Sequence, residues 1–227
     1  MVRRMTTNMM FVAALAATPG IAHAKGPMNF SLGDVAVAGA IPDGYCAPTG
    51  QDGLAAELLA RGDRENETQV TLMRCNRQGQ PNGMQYDYYL IKSPRAAMPP
   101  MARADFITMM TKELALPQYQ DGHSGKASLD DAAGSLSDTM GTKVDLSGEI
   151  KPRGADDSCV YMGGEVTVSS AVATYPIAVG GCGTTVGGKM LFVYSYDDPA
   201  KPNAVAAQLR RVRAIVDQLK AVDGRAN

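Results

Sequence analysis

The chain has 227 residues, with 22 Lys and Arg against 23 Asp and Glu for a formal charge of −1, and 45% of its residues are hydrophobic. That balance holds no basic excess of the kind that nucleic acid or an anionic membrane recruits, so neither is expected as a partner. The length suits a single domain able to bury a full core.

Arg3 and Arg4, the apolar run Met9 to Ala17, the break at Thr18-Pro19-Gly20 and the small residues of Ala22-His23-Ala24 read as a secretory signal peptide over residues 1–24. The apolar run is about half of what a spanning helix needs, and no later stretch reaches about 18 uninterrupted apolar residues, so no membrane span is expected. Cleavage removes two basic residues and no acidic one, which makes the mature chain slightly more acidic. The first cysteine is Cys46, too late to carry a lipid anchor. A soluble protein, secreted or periplasmic, is expected.

Residues 25–40 are Gly- and Ala-rich with weak alternation and are expected to form a loosely ordered N-terminal segment. Order is expected from Ile41-Pro42-Asp43-Gly44-Tyr45-Cys46, a turn ending at a cysteine. Asp52 can cap a short helix with Leu54, Ala55, Leu58 and Leu59 on one face, ended by the polar stretch Arg61 to Glu67. Gln69 to Cys75 and Gln85 to Lys92 read as two strands joined by a turn through Pro81-Asn82-Gly83. Pro99-Pro100 precede a helix carrying Phe106, Met110 and Leu114, stopped at Pro117. Ser128 with Asp131 reads as the capping box of another helix, in which Leu129, Ala132, Ala133, Leu136 and Met140 hold the period and Gly141 closes it.

From Lys143 the period becomes two. Val144, Leu146, Gly148 and Ile150 alternate with Lys143, Asp145, Ser147 and Glu149, the pattern of a half-buried strand. Cys159 to Val168, Ala173 to Cys182 and Lys189 to Tyr196 follow as strands of an antiparallel meander, with Pro176 shortening its strand or placing it at an edge. Val205, Leu209, Val212, Val216 and Leu219 step by four and three while Arg210, Arg211, Arg213 and Lys220 face away, which predicts an amphipathic helix over 203–220 lying on the sheet. No regular strand–helix alternation occurs. The predicted fold is α+β: one domain over 41–222, mainly antiparallel sheet (hairpin plus meander) flanked by helices, with 223–227 as a tail.

Cys46, Cys75, Cys159 and Cys182 all fall in the exported part. An even count in an oxidising compartment reads as two disulfides, with three pairings open. The sequential pairing, Cys46–Cys75 and Cys159–Cys182, is preferred because each pair lies within one run of strands and turns. No C-x-x-C occurs, which disfavours a metal or redox site.

Several motifs fit a functional role as well as a plain structural one. Gly183-Thr184-Thr185-Val186-Gly187-Gly188-Lys189 matches the G-x-x-x-x-G-K part of a phosphate loop. Met190 stands where Ser or Thr should bind magnesium and the sequel is strand-like, so a hairpin turn at Gly187-Gly188 is expected instead. His123 is the only histidine left after cleavage. A hydrolase would need it with a distant Ser and one of the paired aspartates Asp130-Asp131, Asp156-Asp157 or Asp197-Asp198, but no G-x-S-x-G elbow exists and those pairs sit at turns or a helix start. Met98 and Met101 raise copper handling through soft thioether ligands as a weaker option, with Met109 and Met110 fitting a helix face. Tyr86, Tyr88, Tyr194 and Tyr196 could line a binding face on the sheet. No catalytic residue, cofactor or metal is assigned.

Ile41-Pro42-Asp43-Gly44-Tyr45, the strand Tyr88-Tyr89-Leu90-Ile91-Lys92-Ser93-Pro94 and a last strand Met190 to Tyr196 running into the helix 203–220 resemble the PsbP/Mog1-like family in element order. The resemblance spans residues 41–222. It implies an antiparallel sheet sandwiched by helices, in proteins that act mostly as accessory or binding modules without a shared catalytic residue; the disulfides and the meander after Lys143 are not matched to it. The functional expectation is an exported, non-enzymatic binding or accessory domain for a protein or small-molecule ligand, with the His123 hydrolase as alternative.

Overall fold

A computed structural model describes residues 26–76 and 87–222. In chain order the elements are β1 (Pro27–Leu32), β2 (Val35–Ala40), β3 (Tyr45–Cys46), α1 (Gly50–Gly62), β4 (Asn66–Arg74), β5 (Tyr88–Pro94), α2 (Arg103–Leu114), α3 (Pro117–Gln120), α4 (His123–Met140), β6 (Val144–Ala155), β7 (Val160–Ser170), β8 (Thr174–Val186), β9 (Lys189–Asp197), α5 (Ala204–Val216) and β10 (Lys220–Val222). Seven antiparallel strands run β3-β4-β5-β9-β8-β7-β6, and β1-β2-β10 form a small second sheet. The fold is α+β as predicted, and the disulfides are Cys46–Cys75 and Cys159–Cys182.

Strand alternation divides the large sheet into two faces with different covers. In β9, Leu191, Val193, Ser195 and Asp197 are buried on one face, while Met190, Phe192, Tyr194 and Tyr196 are half-buried on the other. On the first face Leu72, Ile91, Leu191 and Val193 share a core with Met28, Leu32 and Val37 of the small sheet and with Val212, Ile215 and Val216 of α5. Each such aliphatic side chain contributes roughly 1.5–3 kcal/mol by leaving water. On the second face Leu129 of α4 packs with Val166, Ile177 and Val179, and Phe106 and Leu114 of α2 pack with Val160. Among the described residues no helix is long and apolar enough to cross a membrane.

Five expectations need correction or refinement. The segment 25–40, expected to be loose, forms β1 and β2 from residue 27 on: Met28 and Leu32 point into the core, and the small residues Ala38 and Gly39 let the hairpin pack close to Leu219. The first helix has the expected period but the opposite orientation. It approaches α4 through its small-residue side, where a Cβ on Gly62 would sit 2.0 Å from Thr139 Oγ1, and so turns Leu54 (68% exposed) and Leu58 (48%) outward. Pro117, expected as a stop, also opens α3, and α4 starts at His123 before the Ser128–Asp131 box, its entry fixed by Asp121 accepting the His123 amide at 3.0 Å. The last helix ends at Val216, and Lys220–Val222 pairs with β2 as β10. Pro176 sits in β8 beyond the reach of β9, where only β7 pairs with it, so the edge expected for it exists locally. The leader 1–24, the turn at 78–83, Tyr86 and the tail 223–227 lie outside the described residues.

Candidate functional site

The register of β5 on β9 sets Tyr88 opposite Tyr196, Leu90 opposite Tyr194 and Lys92 opposite Phe192, all on the face that carries α2 and α4. Tyr88 and Tyr196 stack at 4.3 Å between centroids, Tyr194 lies 6.5 Å from Tyr196, and Phe192 lies 6.3 Å from Tyr194. The next strand makes room for the rings, since Gly181 and Gly183 of β8 stand opposite Tyr194 and Phe192. At the rim, Lys92 Nζ meets Asp63, just past the end of α1, at 2.6 Å.

Burial pushes the Tyr194 phenol up to about 12, and the Asp63 charge adds to the shift. Burial likewise raises Tyr88 and Tyr196. All three rings nevertheless keep part of their surface open. The three tyrosines thus form a half-buried patch on this face, a tyrosine floor beneath the helices. Tyr45, Tyr89, Tyr119 and Tyr161 each have a hydrogen-bond partner for their hydroxyl. Among the described residues, the hydroxyls of Tyr88, Tyr194 and Tyr196 have none, although buried phenols ordinarily find one. The sequence placed Tyr86 beside these three, and it lies outside the described residues.

The opposite face holds a polar cluster that the sequence reading missed. Arg211, expected to face away from the sheet, donates from Nε to Tyr89 Oη at 2.9 Å, from Nη1 to Gln208 Oε1 at 2.7 Å and Asp197 Oδ2 at 3.3 Å, and from Nη2 to Asp87 Oδ1 at 2.5 Å and to the Tyr45 hydroxyl. Tyr45 in turn donates to Asp87, and its ring meets Tyr89 edge-on at 4.8 Å. Ser195 donates to Gln208 at 2.7 Å, Arg74 braces Asp87 at 3.1 Å and Lys201 braces Asp197 at 2.7 Å. Burial works against the Arg211 charge, yet Tyr89, Tyr45 and Asp87 hold its proton more firmly than usual. Burial and Asp87 raise the Tyr45 phenol. Every member has its partners, so the cluster is a clamp joining β3, β5, β9 and α5. A signal was present in the sequence: Gln208 stands four before Val212, on the apolar side of the helix, where a polar side chain needs a partner.

The other candidates stay apart. His123 is 83% exposed with Nδ1 2.9 Å from Asp121, while the neighbouring Ser124 hydroxyl bonds the Gln118 carbonyl at 2.9 Å. Asp130 pairs with Lys126, Asp156 and Asp157 with Arg213, and Asp197 with Lys201, so four of the six paired aspartates serve ion pairs with other residues, while His123 meets Asp121. Gly187 and Gly188 both have positive φ and form the two-residue turn between β8 and β9 that the hairpin reading required, and Lys189 pairs with Asp34 at 2.7 Å. Met98 is exposed, Met101 is half-buried against the Phe106 cluster with its amide on the Gly188 carbonyl at 2.9 Å, Met110 joins that cluster and Met109 faces outward. Among the described residues no three His, Cys, Asp or Glu side chains converge as metal ligands.

No family model matches the chain, and no curated protein matches it. Among solved structures, the solution structure of cyanobacterial PsbP (CyanoP) from Synechocystis sp. PCC 6803 is similar over 92% of this chain and 99% of that chain, at 10% identity and a TM-score of 0.40. A likeness at that level identifies neither family nor function.

Proposed function

We propose that the protein is an exported, non-enzymatic binding or accessory domain whose contact surface is the tyrosine floor of Tyr88, Tyr194 and Tyr196. In this reading residues 1–24 are removed as a signal peptide and the chain from Lys25 works as one unit. The observation that carries it is three adjacent, half-buried tyrosines whose hydroxyls have no hydrogen-bond partner among the described residues, while those of Tyr45, Tyr89, Tyr119 and Tyr161 each have one. Stacked tyrosines offer a rigid apolar surface at low entropy cost, and each hydroxyl can both donate and accept. The ligand is therefore an apolar body bearing polar groups, either a small molecule or a segment of a partner protein.

Photo-cross-linking in the exporting cell tests this. A benzophenone side chain at position 194 should give a discrete adduct, and the same group at Val172, which is 86% exposed in the β7–β8 turn, should not. Equal labelling at both positions, or none at 194, would contradict the reading. So would hydrolytic turnover of esters, glycosides or peptides that survives repurification.

A further inference from the structure

The helix beside the tyrosine floor is the weakest-held of the long helices. Along its 13 residues α1 buries Ala56 alone, and Thr49 makes no side-chain cap bond. At its C-terminal end it is well tied: Asp63 meets Lys92 at 2.6 Å and accepts the Asn66 amide at 2.8 Å, and Arg64 meets Asp138 at 2.6 Å. Lys92 stands opposite Phe192 on the tyrosine face, so the Asp63–Lys92 pair sets this end of α1 at the edge of the row of rings. At the N-terminal end the tie is the two-residue strand β3 and the Cys46–Cys75 bridge, four residues before Gly50.

The two bridges differ in how a reductant can reach them. Cys159 and Cys182 are 0% and 1% exposed inside the core, whereas Cys46 and Cys75 are half-buried at the end of the sheet. Thiol exchange requires a thiolate to reach a bridge sulfur.

We infer that α1 is a lid over the tyrosine floor held at its N-terminal end by Cys46–Cys75, and that this bridge is a redox-labile latch while Cys159–Cys182 is permanent; what the lid covers rests on the tyrosine-floor reading above. In the opening step a thiolate of the reductant attacks one sulfur of the bridge, forms a mixed disulfide and expels the other cysteine as a thiolate, which takes a proton. A second reductant thiol resolves the mixed disulfide, leaving two cysteine thiols and the oxidised reductant disulfide. Two electrons and two protons pass to the protein. Tyr45 stays held by Arg211 and Asp87, so the release begins at Cys46 and runs into α1.

The experiment uses the chain from Lys25, oxidised, under native conditions. It is equilibrated with graded dithiothreitol and trapped with N-ethylmaleimide for peptide mapping, with parallel hydrogen exchange and tyrosine nitration. Thiols at Cys46 and Cys75 should appear at about tenfold lower reductant than those at Cys159 and Cys182. Amide exchange across 50–62 should then rise about tenfold with β7, β8 and β9 unchanged, and nitration of Tyr194 and Tyr196 should increase. A Cys46→Ser/Cys75→Ser variant should show the same pattern without reductant. Simultaneous reduction, earlier opening of Cys159–Cys182, or no reduction short of unfolding would overturn the latch. Unchanged exchange in α1, or unchanged nitration once the bridge is open, would overturn the lid. No ligand enters the experiment, so its failure is separate from failure of the cross-linking test.

Discussion

Replacing Arg211 by Met isolates the polar clamp, because the methionine keeps the aliphatic stem in place and removes the guanidinium. Arg211 makes five hydrogen bonds, two of them to the carboxylates of Asp87 and Asp197. Charge-assisted bonds are individually worth about 1.5–3 kcal/mol, but the full sum overstates the loss. Asp87 keeps Arg74 at 3.1 Å, Asp197 keeps Lys201 at 2.7 Å and Gln208 keeps Ser195 at 2.7 Å. What disappears is the second cation for two carboxylates that are only 16% and 9% exposed, the partner that the Tyr89 hydroxyl has among the described residues, and the stacking of the guanidinium on Tyr89 at 4.6 Å. That remainder is about 3 kcal/mol, below the usual cost of breaking a fully buried pair because each carboxylate retains a partner. For a domain of this size it lowers Tm by roughly 6–12 °C, read by circular dichroism. Arg211→Lys should recover less than half, since an ammonium cannot span the same acceptors. In a double-mutant cycle with Tyr45→Phe the losses should fall short of additivity by about 1 kcal/mol. A Tm change under about 2 °C, or strict additivity, would refute the clamp.

Asp156 is held down at about 2: burial opposes its charge, but the Tyr161 hydroxyl, the amides of Ser158 and Cys159 and the Arg213 guanidinium outweigh it. A carboxyl depressed on folding stabilises above its unfolded value near 4 and loses that stabilisation as pH falls through about 2. With the side chain 38% exposed, the contribution is discounted to about 1 kcal/mol. Asp156→Asn should therefore lower the urea midpoint at neutral pH and match the parent at about pH 2; an equal deficit at both pH values would contradict it. Gly180→Ala should cost about 2–3 kcal/mol because its Cβ would lie 2.6 Å from the Gln208 Cβ and force α5 off the sheet, whereas Gly134→Ala, with nothing within 4 Å in α4, should gain about 0.5–1 kcal/mol. Denaturant titration separates them, and an equal sign for the two would be inconsistent with the packing described. Replacing Cys159 and Cys182 by Ser should cost about 2–5 kcal/mol and more than the same change at Cys46 and Cys75, because only the first leaves hydroxyls in the core; the reverse order in urea melts would overturn this.

Elements with a strong period were legible in the sequence. The alternation from Val144, the strand-rich stretches ending at Tyr196 and the Val212–Val216 helical step translate directly into β6 to β9 and α5, and the spacing of the cysteines within those runs gave both disulfides. Orientation was harder. Periodicity shows that Leu54 and Leu58 share a face but not which face meets the protein, and close approach through Gly62 decided against the leucines. The β1–β2 hairpin was hidden because Ala and Gly carry little strand preference, and its burial comes from partners almost the whole chain away, such as Leu219. Arg211 was read as solvated for the same reason: Tyr45 and Asp87 lie 166 and 124 residues distant in sequence. Tyr88, Tyr194 and Tyr196 were named from composition and strand position, and the register of β5 on β9 brings them into one patch.

The most direct test of the tyrosine floor is a magnetic resonance titration of the chain carrying isotope-labelled tyrosine rings. The spectrum would be recorded alone and with concentrated soluble periplasmic or secreted extract, the source that the proposed export implies. The ring signals of Tyr88, Tyr194 and Tyr196 should shift or broaden together, while those of Tyr45, Tyr119 and Tyr161 stay in place. Changes confined to Tyr119 or Tyr161, or no change in any ring, would contradict a binding role for this face.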